Sequence, residues 1–430
     1  MKKSNYNFFI DYKEDENKII AYNALSNNLA LMDKEEFDIF NNSENLDSID
    51  NQLLSQLKIG NFIVDDELDE LELIRFKMLE SRFNRNLLSL TIAPTSACNF
   101  RCIYCYEKNS LQEVYMDESI IESILNYLKS HKNIDILSVT WYGGEPLLAI
   151  NTIKYLSENF IKICEENNIN YSAYMVSNGY LLNEKNFNII KNSKINGIQI
   201  TLDGNENIHN KRRFLKNGGG TFKKIFQNLV DIQKYNSKNE VNISLRINLD
   251  KTNLNDYKEI IKLLKENNLD GLINPYIARV QSHNDCYKDS DCFTEEEFIK
   301  IKKEFEQIME QNKNYKKFDY PKRINNFCGC DFYNSFVIDA DGSLYNCWND
   351  LGNKEMSFGN IKDKIEITPK YLNYIMNDPT QDKSCCECKI LPICMGGCPF
   401  TRKSNKYNCN EYKYNLNQKL INSVIYLKNN

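Results

Sequence analysis

Beyond Leu87 the chain alternates short apolar runs with longer stretches in which apolar residues recur every three or four positions. The runs Leu87–Ala93, Ile136–Trp141, Ser172–Val176, Ile198–Leu202, Asn242–Asn248 and Leu272–Ile277 have the length and residue types of strands. Helical periodicity follows them at Asp117–Ser130, Thr152–Asn167, Asn183–Asn192, Thr221–Tyr235, Asn255–Asn267 and Thr294–Gln311. Six β–α units in series predict an α/β fold with a parallel sheet. Six are fewer than the eight of a closed barrel, so an incomplete barrel and a doubly wound sheet both satisfy the pattern.

The two ends of the chain differ from this middle. Over residues 1–86, Tyr6–Asp11, Lys18–Asn23, Asn28–Met32 and Asn61–Val64 read as short strands. Lys34–Asn41, Leu46–Lys58 and Asp66–Phe83 read as helices, the last with acids crowding its first turn. Such a unit is winged-helix-like. It carries 18 Asp/Glu against 10 Lys/Arg, a net −8, where a DNA-reading surface would be basic. Residues 320–430 are rich in cysteine and loops, with one hairpin signal at Phe336–Tyr345 around Asp341-Gly342. Their apolar periodicity is too poor to build a core alone, so bound clusters or metals are expected to cross-link them.

Composition narrows the class. Of 430 residues, 42% are hydrophobic and 26% charged, as in soluble globular proteins. No apolar run is long enough to span a bilayer, and the N-terminus lacks a signal-peptide core, so a cytoplasmic location without membrane partners is expected. A formal net charge of −5 gives no general attraction for nucleic acid. Fifteen cysteines, most of them bunched between Cys328 and Cys409, then need an explanation. Disulfides are rare in a reducing compartment, so metal or cluster ligation is the better reading.

The chemistry-bearing residues fall where strands end. Cys98, Cys102 and Cys105 follow the first strand, Gly143-Gly144-Glu145-Pro146 the second, and Ser177-Asn178-Gly179 the third. Asp203-Gly204 follows the fourth, and Arg246 and Asn248 end the fifth. In parallel β/α folds these ends form the active face, so the fragments should converge. Three thiolates can hold three irons of a [4Fe–4S] cluster and leave the fourth open, whereas an electron-transfer cluster normally has four cysteines. A structural zinc knuckle is the plain alternative, but it wants a second close pair of ligands, and none lies nearby.

Cys98-x3-Cys102-x-Tyr104-Cys105 followed by Gly143-Gly144-Glu145-Pro146 closely resembles the radical S-adenosylmethionine enzymes. The resemblance covers about residues 88–280 and implies a partial (β/α)6 TIM-like barrel. It implies that the open iron chelates the methionine amino and carboxylate groups, and that reductive cleavage yields a 5′-deoxyadenosyl radical. It places Gly143, Gly144, Glu145 and Pro146 at the methionine ammonium, Ser177 and Asn178 near ribose or carboxylate, and Tyr104 near adenine. His209–Arg213 resembles a family segment whose arginine pairs with the methionine carboxylate, which selects Arg213. Arg246 joins the expected cofactor-binding set. A flavodoxin- or ferredoxin-type electron donor is implied.

The C-terminal cysteines resemble the SPASM extension, which carries two auxiliary iron–sulfur clusters in radical enzymes acting on peptides and proteins. Seven cysteines and Gly342 match. The likeness implies three [4Fe–4S] clusters in all. Cys347 and Cys398 would hold the first auxiliary cluster with Cys328, Cys330 or both, and Cys385, Cys388, Cys394 and Cys409 the second. If only one of Cys328 and Cys330 binds, that cluster too has an open iron. Cys164 reads as a buried small hydrophobe, and Cys386 as incidental. Cys286 and Cys292 lie in a polar loop near the expected mouth.

Residues 1–86 also resemble, through Asn61–Asp66 and the strand–strand–helix pattern, the RRE element that binds leader peptides by strand addition in peptide-modifying enzymes. A structural cap is the alternative. The expected organisation is a recognition module over 1–86, a radical core over 87–319 and a SPASM domain over 320–430. The three likenesses together point to a maturase of ribosomally made peptides, of the sactipeptide or ranthipeptide type. It would link a peptide cysteine by a thioether to a carbon of its leader-bearing precursor. An anaerobic sulfatase-maturing enzyme is the runner-up, although that family has an aspartate after the cysteine matching Cys347, where this chain has Trp348. Carbon–carbon cross-linking and a non-enzymatic iron–sulfur sensor complete the alternatives.

Overall fold

The computed structural model describes residues 1–282, 287–311, 320–403 and 409–429, so Cys286 lies outside the described residues. Contacts divide the chain into two compact units. One consists of Asn84–Lys316 and Tyr333–Ile375, and the other of Met1–Phe83, Lys317–Phe332 and Met376–Asn430.

In the first unit the six expected strands form at Leu87–Ile92, Ile136–Trp141, Asn170–Val176, Ile195–Thr201, Asn242–Leu249 and Ile273–Arg279. Each pairs in parallel with the next in chain order, through registers such as Leu90↔Val139 and Leu245↔Ile200. Helices connect them, as right-handed crossovers require. Asp117 and Thr294 cap two of these helices, Thr294 in a reciprocal capping box with Glu297. The result is a mixed α/β fold with a parallel-dominated sheet, consistent with a partial barrel.

Strand alternation decides what each face of the sheet does. Leu88, Leu90, Ile92, Leu137, Val139, Trp141, Ile243, Leu245 and Ile247 are buried in one core with the helices. Each large aliphatic or aromatic side chain so buried contributes about 1.5–3 kcal/mol. The intervening positions, among them Thr91, Thr140, Gln199, Arg246 and Asn248, leave the other face polar. The Phe336–Tyr345 hairpin extends the same sheet: Ser335–Ile338 runs parallel to Leu87–Ile92, and Ser343–Tyr345 and Gly359–Asn360 follow antiparallel. Two helices of this unit were not read from the sequence: Glu206–Arg212, which follows the fourth strand, and Pro369–Ile375.

In the second unit Asn7–Asp11, Lys18–Asn23 and Asn28–Asp33 make an antiparallel three-stranded sheet, and Lys2–Lys3 pairs with Ile63–Val64. Period two splits the central strand between two cores. Ala21 faces Phe40, Leu53, Leu57 and Phe62. Ile20 and Tyr22 share a core with Ile74 and Met78, with Ile390, Leu391 and Ile393, and with Leu416, Leu420 and Val424 of the helix Tyr412–Asn429. The cysteine-rich segment after Met376 thus obtains from the N-terminal strands the apolar partners that its own sequence lacks.

Candidate active site at the strand ends

Cys98, Cys102 and Cys105 occupy the loop after the first strand, within electrostatic reach of one another. The loop is laced to the segment after Glu206–Arg212. Arg101 N–H donates to the Phe214 carbonyl at 2.8 Å, Ile103 N–H to that of Arg212 at 3.0 Å, and Lys216 N–H to that of Asn99 at 2.8 Å. The Phe100 N–H points at Cys98 Sγ, 3.4 Å away. Burial pushes the Cys98 thiol up to about 12 and raises Cys102 and Cys105 as well. Buried thiolates without cations are costly, and coordination to a metal removes that cost.

The Gly143–Pro146 turn lies against this loop. Gly143 has φ +97, and a Cβ there would meet Ala93 Cβ at 2.7 Å and the Thr95 carbonyl at 2.8 Å. A Cβ on Gly144 would come within 2.3 Å of the Ala97 carbonyl, so only glycine permits this approach. Glu145 is 1% exposed. Its N–H donates to the Ala97 carbonyl at 2.9 Å. Its carboxylate accepts from Ser177 Oγ at 2.8 Å, Asn178 N–H at 2.7 Å and Leu147 N–H at 3.0 Å. Burial raises its pKa against those three donors. Glu145 therefore ties the second strand end to the third, with Pro146 opening the short turn Pro146–Ala149. Asn178 Nδ2 continues the tie to Asn99 Oδ1 at 2.8 Å.

A charged network closes the other side. The Tyr104 hydroxyl donates to Asp203 Oδ2 at 2.5 Å and accepts from Arg213 Nη1 at 2.9 Å and Asn248 Nδ2 at 3.0 Å. Arg246 Nε donates to Asn248 Oδ1 at 2.7 Å. Arg212 bridges Asp203 Oδ2 at 3.2 Å and Asp250 Oδ2 at 2.7 Å, all three side chains buried. Burial pushes Asp250 up, but the Thr252 hydroxyl and Arg212 outweigh it and hold Asp250 below the usual carboxylate range. Burial likewise opposes the Arg213 charge, and Cys102, Tyr104 and Asp203 overcome it. Burial lowers His209 well below its usual value, keeping it neutral. The Asp203 N–H points at its Nδ1, leaving Nε2–H for Thr221 Oγ1 at 3.0 Å, and the Thr221 hydroxyl donates to the Arg213 carbonyl.

The strand ends thus bring together Cys98, Cys102, Cys105, Tyr104, Gly143, Gly144, Glu145, Pro146, Ser177, Asn178, Arg213 and Arg246. Sequence reasoning missed Asn99 and Asp250, and named His209 and Arg212 only as part of the segment from which Arg213 was selected. The only available signal was their adjacency to Cys98, Arg213 and Asn248. It also missed an aromatic group beside the cysteines: the Tyr106 and Tyr142 hydroxyls meet at 2.5 Å, and Tyr142 stacks on half-exposed Trp348 at 5.2 Å. Buried Glu107 adjoins it, its carboxyl pushed up to about 7 by burial.

Beside the three thiols, buried and unpartnered Arg213 Nε and Arg212 Nη2 offer donors to a carboxylate and Asp203 Oδ1 an acceptor to a hydroxyl or ammonium group, which fits an iron–sulfur cluster with a zwitterionic ligand. Among the described residues no three His, Cys, Asp or Glu side chains stand close enough to share one ion.

In the second unit the remaining cysteines fall into two neighbourhoods. Cys394 lies within electrostatic reach of Cys385 and Cys388. Lys413 reaches Cys409 Sγ at 3.6 Å and also feels Cys388. Arg402 Nη1 donates to Cys385 Sγ at 3.3 Å. Cys398 feels Cys328, whose Sγ is 3.2 Å from Cys330 Sγ. Cys347 belongs to the sheet unit, at the start of the turn Trp348–Asp350. Cys164 is buried in the helix Ile150–Glu166, as a small hydrophobe should be. Cys292 is half-buried, close enough to feel Asp250.

Residues 92–264 match the model of the Radical SAM superfamily. The chain is 27% identical over 358 residues to the cysteine-type anaerobic sulfatase-maturating enzyme of Clostridium novyi, a match covering 74% of this chain and 89% of that enzyme. The structure of native anSMEcpe with bound AdoMet superposes with a TM-score of 0.60 at 20% identity, covering 79% of this chain and 100% of that one. Streptococcus suis SuiB bound to precursor peptide SuiA gives 0.56 at 16% identity, covering 94% and 96%. At these identities the two structural likenesses concern the fold.

Proposed function

Because the chain carries a radical S-adenosylmethionine domain, with the iron–sulfur and S-adenosylmethionine binding of that superfamily, we propose that it modifies a ribosomally made, cysteine-containing peptide by forming an intramolecular thioether. When bound, the cluster at Cys98, Cys102 and Cys105 supplies the electron that cleaves S-adenosylmethionine. The chain's own residues do the rest. The Gly143–Pro146 backbone receives the methionine ammonium, Arg213 its carboxylate, and Ser177 and Asn178 the ribose side. Tyr104 and Arg246 stand on the adenine side, where the bonds of Tyr104 to Asp203 and Asn248 fix its ring. The observation that carries the reading is this convergence of five strand ends beside three half-buried thiols.

A peptide substrate draws support from two neighbours. SuiB is bound to a precursor peptide in its structure, and the sulfatase-maturating relative acts on a protein by its name. Residues 1–86 are proposed to bind the leader, through the outer edge of Asn28–Asp33 or Asn7–Asp11, each of which pairs with one strand among the described residues. The cysteines of 320–430 are proposed to hold two auxiliary clusters, with a flavodoxin- or ferredoxin-type donor feeding the enzyme. The reaction is proposed to run in the cytoplasm. No helix among the described residues is long and apolar enough to cross a membrane.

The sulfatase-maturating reading rests on the Clostridium novyi match. A specific observation weighs against it. Trp348 occupies the position after Cys347, and Asp350, two residues on, is 4% exposed and accepts the Tyr374 hydroxyl at 2.8 Å. Asp350 is thus not presented as an exposed base.

The test is anaerobic reconstitution, then dithionite, S-adenosylmethionine and a cysteine-bearing precursor peptide chosen from short open reading frames beside the gene. 5′-Deoxyadenosine should form, and the peptide should lose two hydrogens while retaining sulfur. Loss of sulfur with a new aldehyde would favour the sulfatase-maturating reading instead. Iron should reach about twelve per chain if three [4Fe–4S] clusters load.

A further inference from the structure

We propose that the Tyr142–Trp348 stack is a specificity element of the proposed site, a platform that receives an aromatic or large apolar side chain of the peptide near its reacting residue. The two rings lie 5.2 Å apart at an interplanar angle of 16°, so Tyr142 covers one face of the indole. Trp348 is nonetheless 44% exposed. An indole left so open forgoes much of the burial that stabilises aromatic residues, and tryptophan is enriched among the residues that dominate binding to other chains. The other tryptophan, Trp141, lies wholly within the core.

The stack runs from the site to solvent. Tyr142 directly precedes Gly143, and its hydroxyl meets that of Tyr106, the residue after Cys105, at 2.5 Å. It also lies within electrostatic reach of Cys105 and Arg246. Trp348 forms the outer end. Both ends are held by contacts of the fold itself. Tyr142 N–H donates to the Ile92 carbonyl at 2.9 Å, Asp350 N–H to that of Cys347 at 3.0 Å and Leu351 N–H to that of Trp348 at 3.1 Å. The Tyr374 hydroxyl fixes the same turn through Asp350 Oδ2 at 2.8 Å.

The surroundings select the occupant. Tyr142 and Met356 pack on Ala93, Val337, Tyr345 and Leu351, an apolar cluster that the open indole face continues. A peptide entering on the Cys105 and Gly143 side passes this face, where an aromatic ring gains more than its buried area alone provides. A lysine or arginine is the other partner that an exposed indole accepts, and the apolar cluster disfavours it. The proposal rests on the peptide reading of the function and is independent of which bond the enzyme makes.

The test uses the full reconstituted chain with S-adenosylmethionine. The probe is an end-labelled precursor peptide from the short open reading frames beside the gene, with its affinity read by fluorescence anisotropy. Trp348→Ala should weaken binding by on the order of tenfold, and Trp348→Phe, which keeps a ring, by no more than about twofold. Alanine at one aromatic or large apolar residue flanking the peptide cysteine should weaken binding to the wild type by a similar factor and to Trp348→Ala hardly at all, because the two changes remove one contact. Additive losses at every such residue, unchanged affinity in Trp348→Ala, or coupling to a lysine or arginine of the peptide alone would each overturn the platform. If none of these peptides binds the wild type, the peptide reading fails and takes the platform with it. Binding without the coupling rejects the platform alone.

Discussion

Cys98, Cys102 and Cys105 stand on a loop fastened by backbone hydrogen bonds to Arg212–Lys216 and resting on a parallel sheet. Cys385 and Cys394 stand instead on helices of four residues, Lys383–Cys386 and Leu391–Cys394. Helices so short do not hold themselves. The second of them ends at Met395 with φ 45 and is followed by two glycines with positive φ. It is supported by the core contact of Ile390, Leu391 and Ile393, by Ile324 N–H donating to the Pro392 carbonyl at 3.0 Å, and by Arg402 Nη1 donating to the Gly396 carbonyl at 3.0 Å. One set of thiols rests on a sheet-borne loop, the other on short helices tied down by a few side chains and a neighbouring core. The difference fits a catalytic site that must receive a ligand in a fixed pose, and a cysteine-rich segment in which metal binding supplies part of the folding energy.

The largest expected effect separates the two sets by activity. Cys98→Ala should reduce 5′-deoxyadenosine formation by on the order of 10³-fold or more, while the unfolding midpoint of the iron-free protein changes little. A collapse of stability in this variant would mean that the loop is not prebuilt. Iron removal tests the other side. Chelation under reducing conditions should lower amide protection in Lys383–Cys398 by on the order of 10²-fold, about 3 kcal/mol, and leave Leu87–Ile92 and Asn242–Leu249 as they were. Equal loss in both regions would erase the contrast.

How far the sequence foretold this depends on the range of the interaction. The six strands were legible because each is a local apolar run, and Gly143 and Gly144 because a close backbone approach leaves a residue-type signature. The ends of these strands shifted by up to three residues: the third strand starts at Asn170 rather than Ser172, and the fourth at Ile195 rather than Ile198. The lacing of Arg101 and Ile103 to Phe214 and Arg212 was invisible, since it joins segments some hundred residues apart. So was the shared core of Tyr22, Leu391 and Leu420, which lie in three distant stretches. The part of Glu145 was read only as a cofactor contact, yet its carboxylate is also a tie between strand ends, because a buried charge must find donors.

An effect of comparable size is expected at the ionic wall of the prebuilt site. Arg212→Met leaves Asp203 and Asp250 buried without their cation, a change that should cost about 3–5 kcal/mol in denaturant unfolding. Replacing Lys216, whose pair with Glu113 is exposed and screened by solvent, should change stability far less. Similar costs for the two would show that the wall adds nothing to the rigidity attributed to it.

The smallest effect expected concerns Glu107, two residues beyond Cys105 and 8% exposed. Burial pushes its carboxyl from 4.5 to about 7; the Tyr106 hydrogen bond opposes this and the nearby Asp339 charge adds to it. The folded chain therefore binds this proton more tightly than the unfolded chain does. Its stabilising contribution is complete below pH 4.5 and disappears as pH rises through about 7. The shift corresponds to about 3 kcal/mol at most, less where water reaches the group on partial unfolding. Glu107→Gln keeps the shape and carries no titrating proton. Denaturant unfolding of the iron-free protein at about pH 5 and about pH 8 should show the wild type losing stability relative to the variant as pH rises. Parallel behaviour of the two proteins would place Glu107 in contact with solvent, and the loop around Cys105 would then be looser than its hydrogen bonds imply.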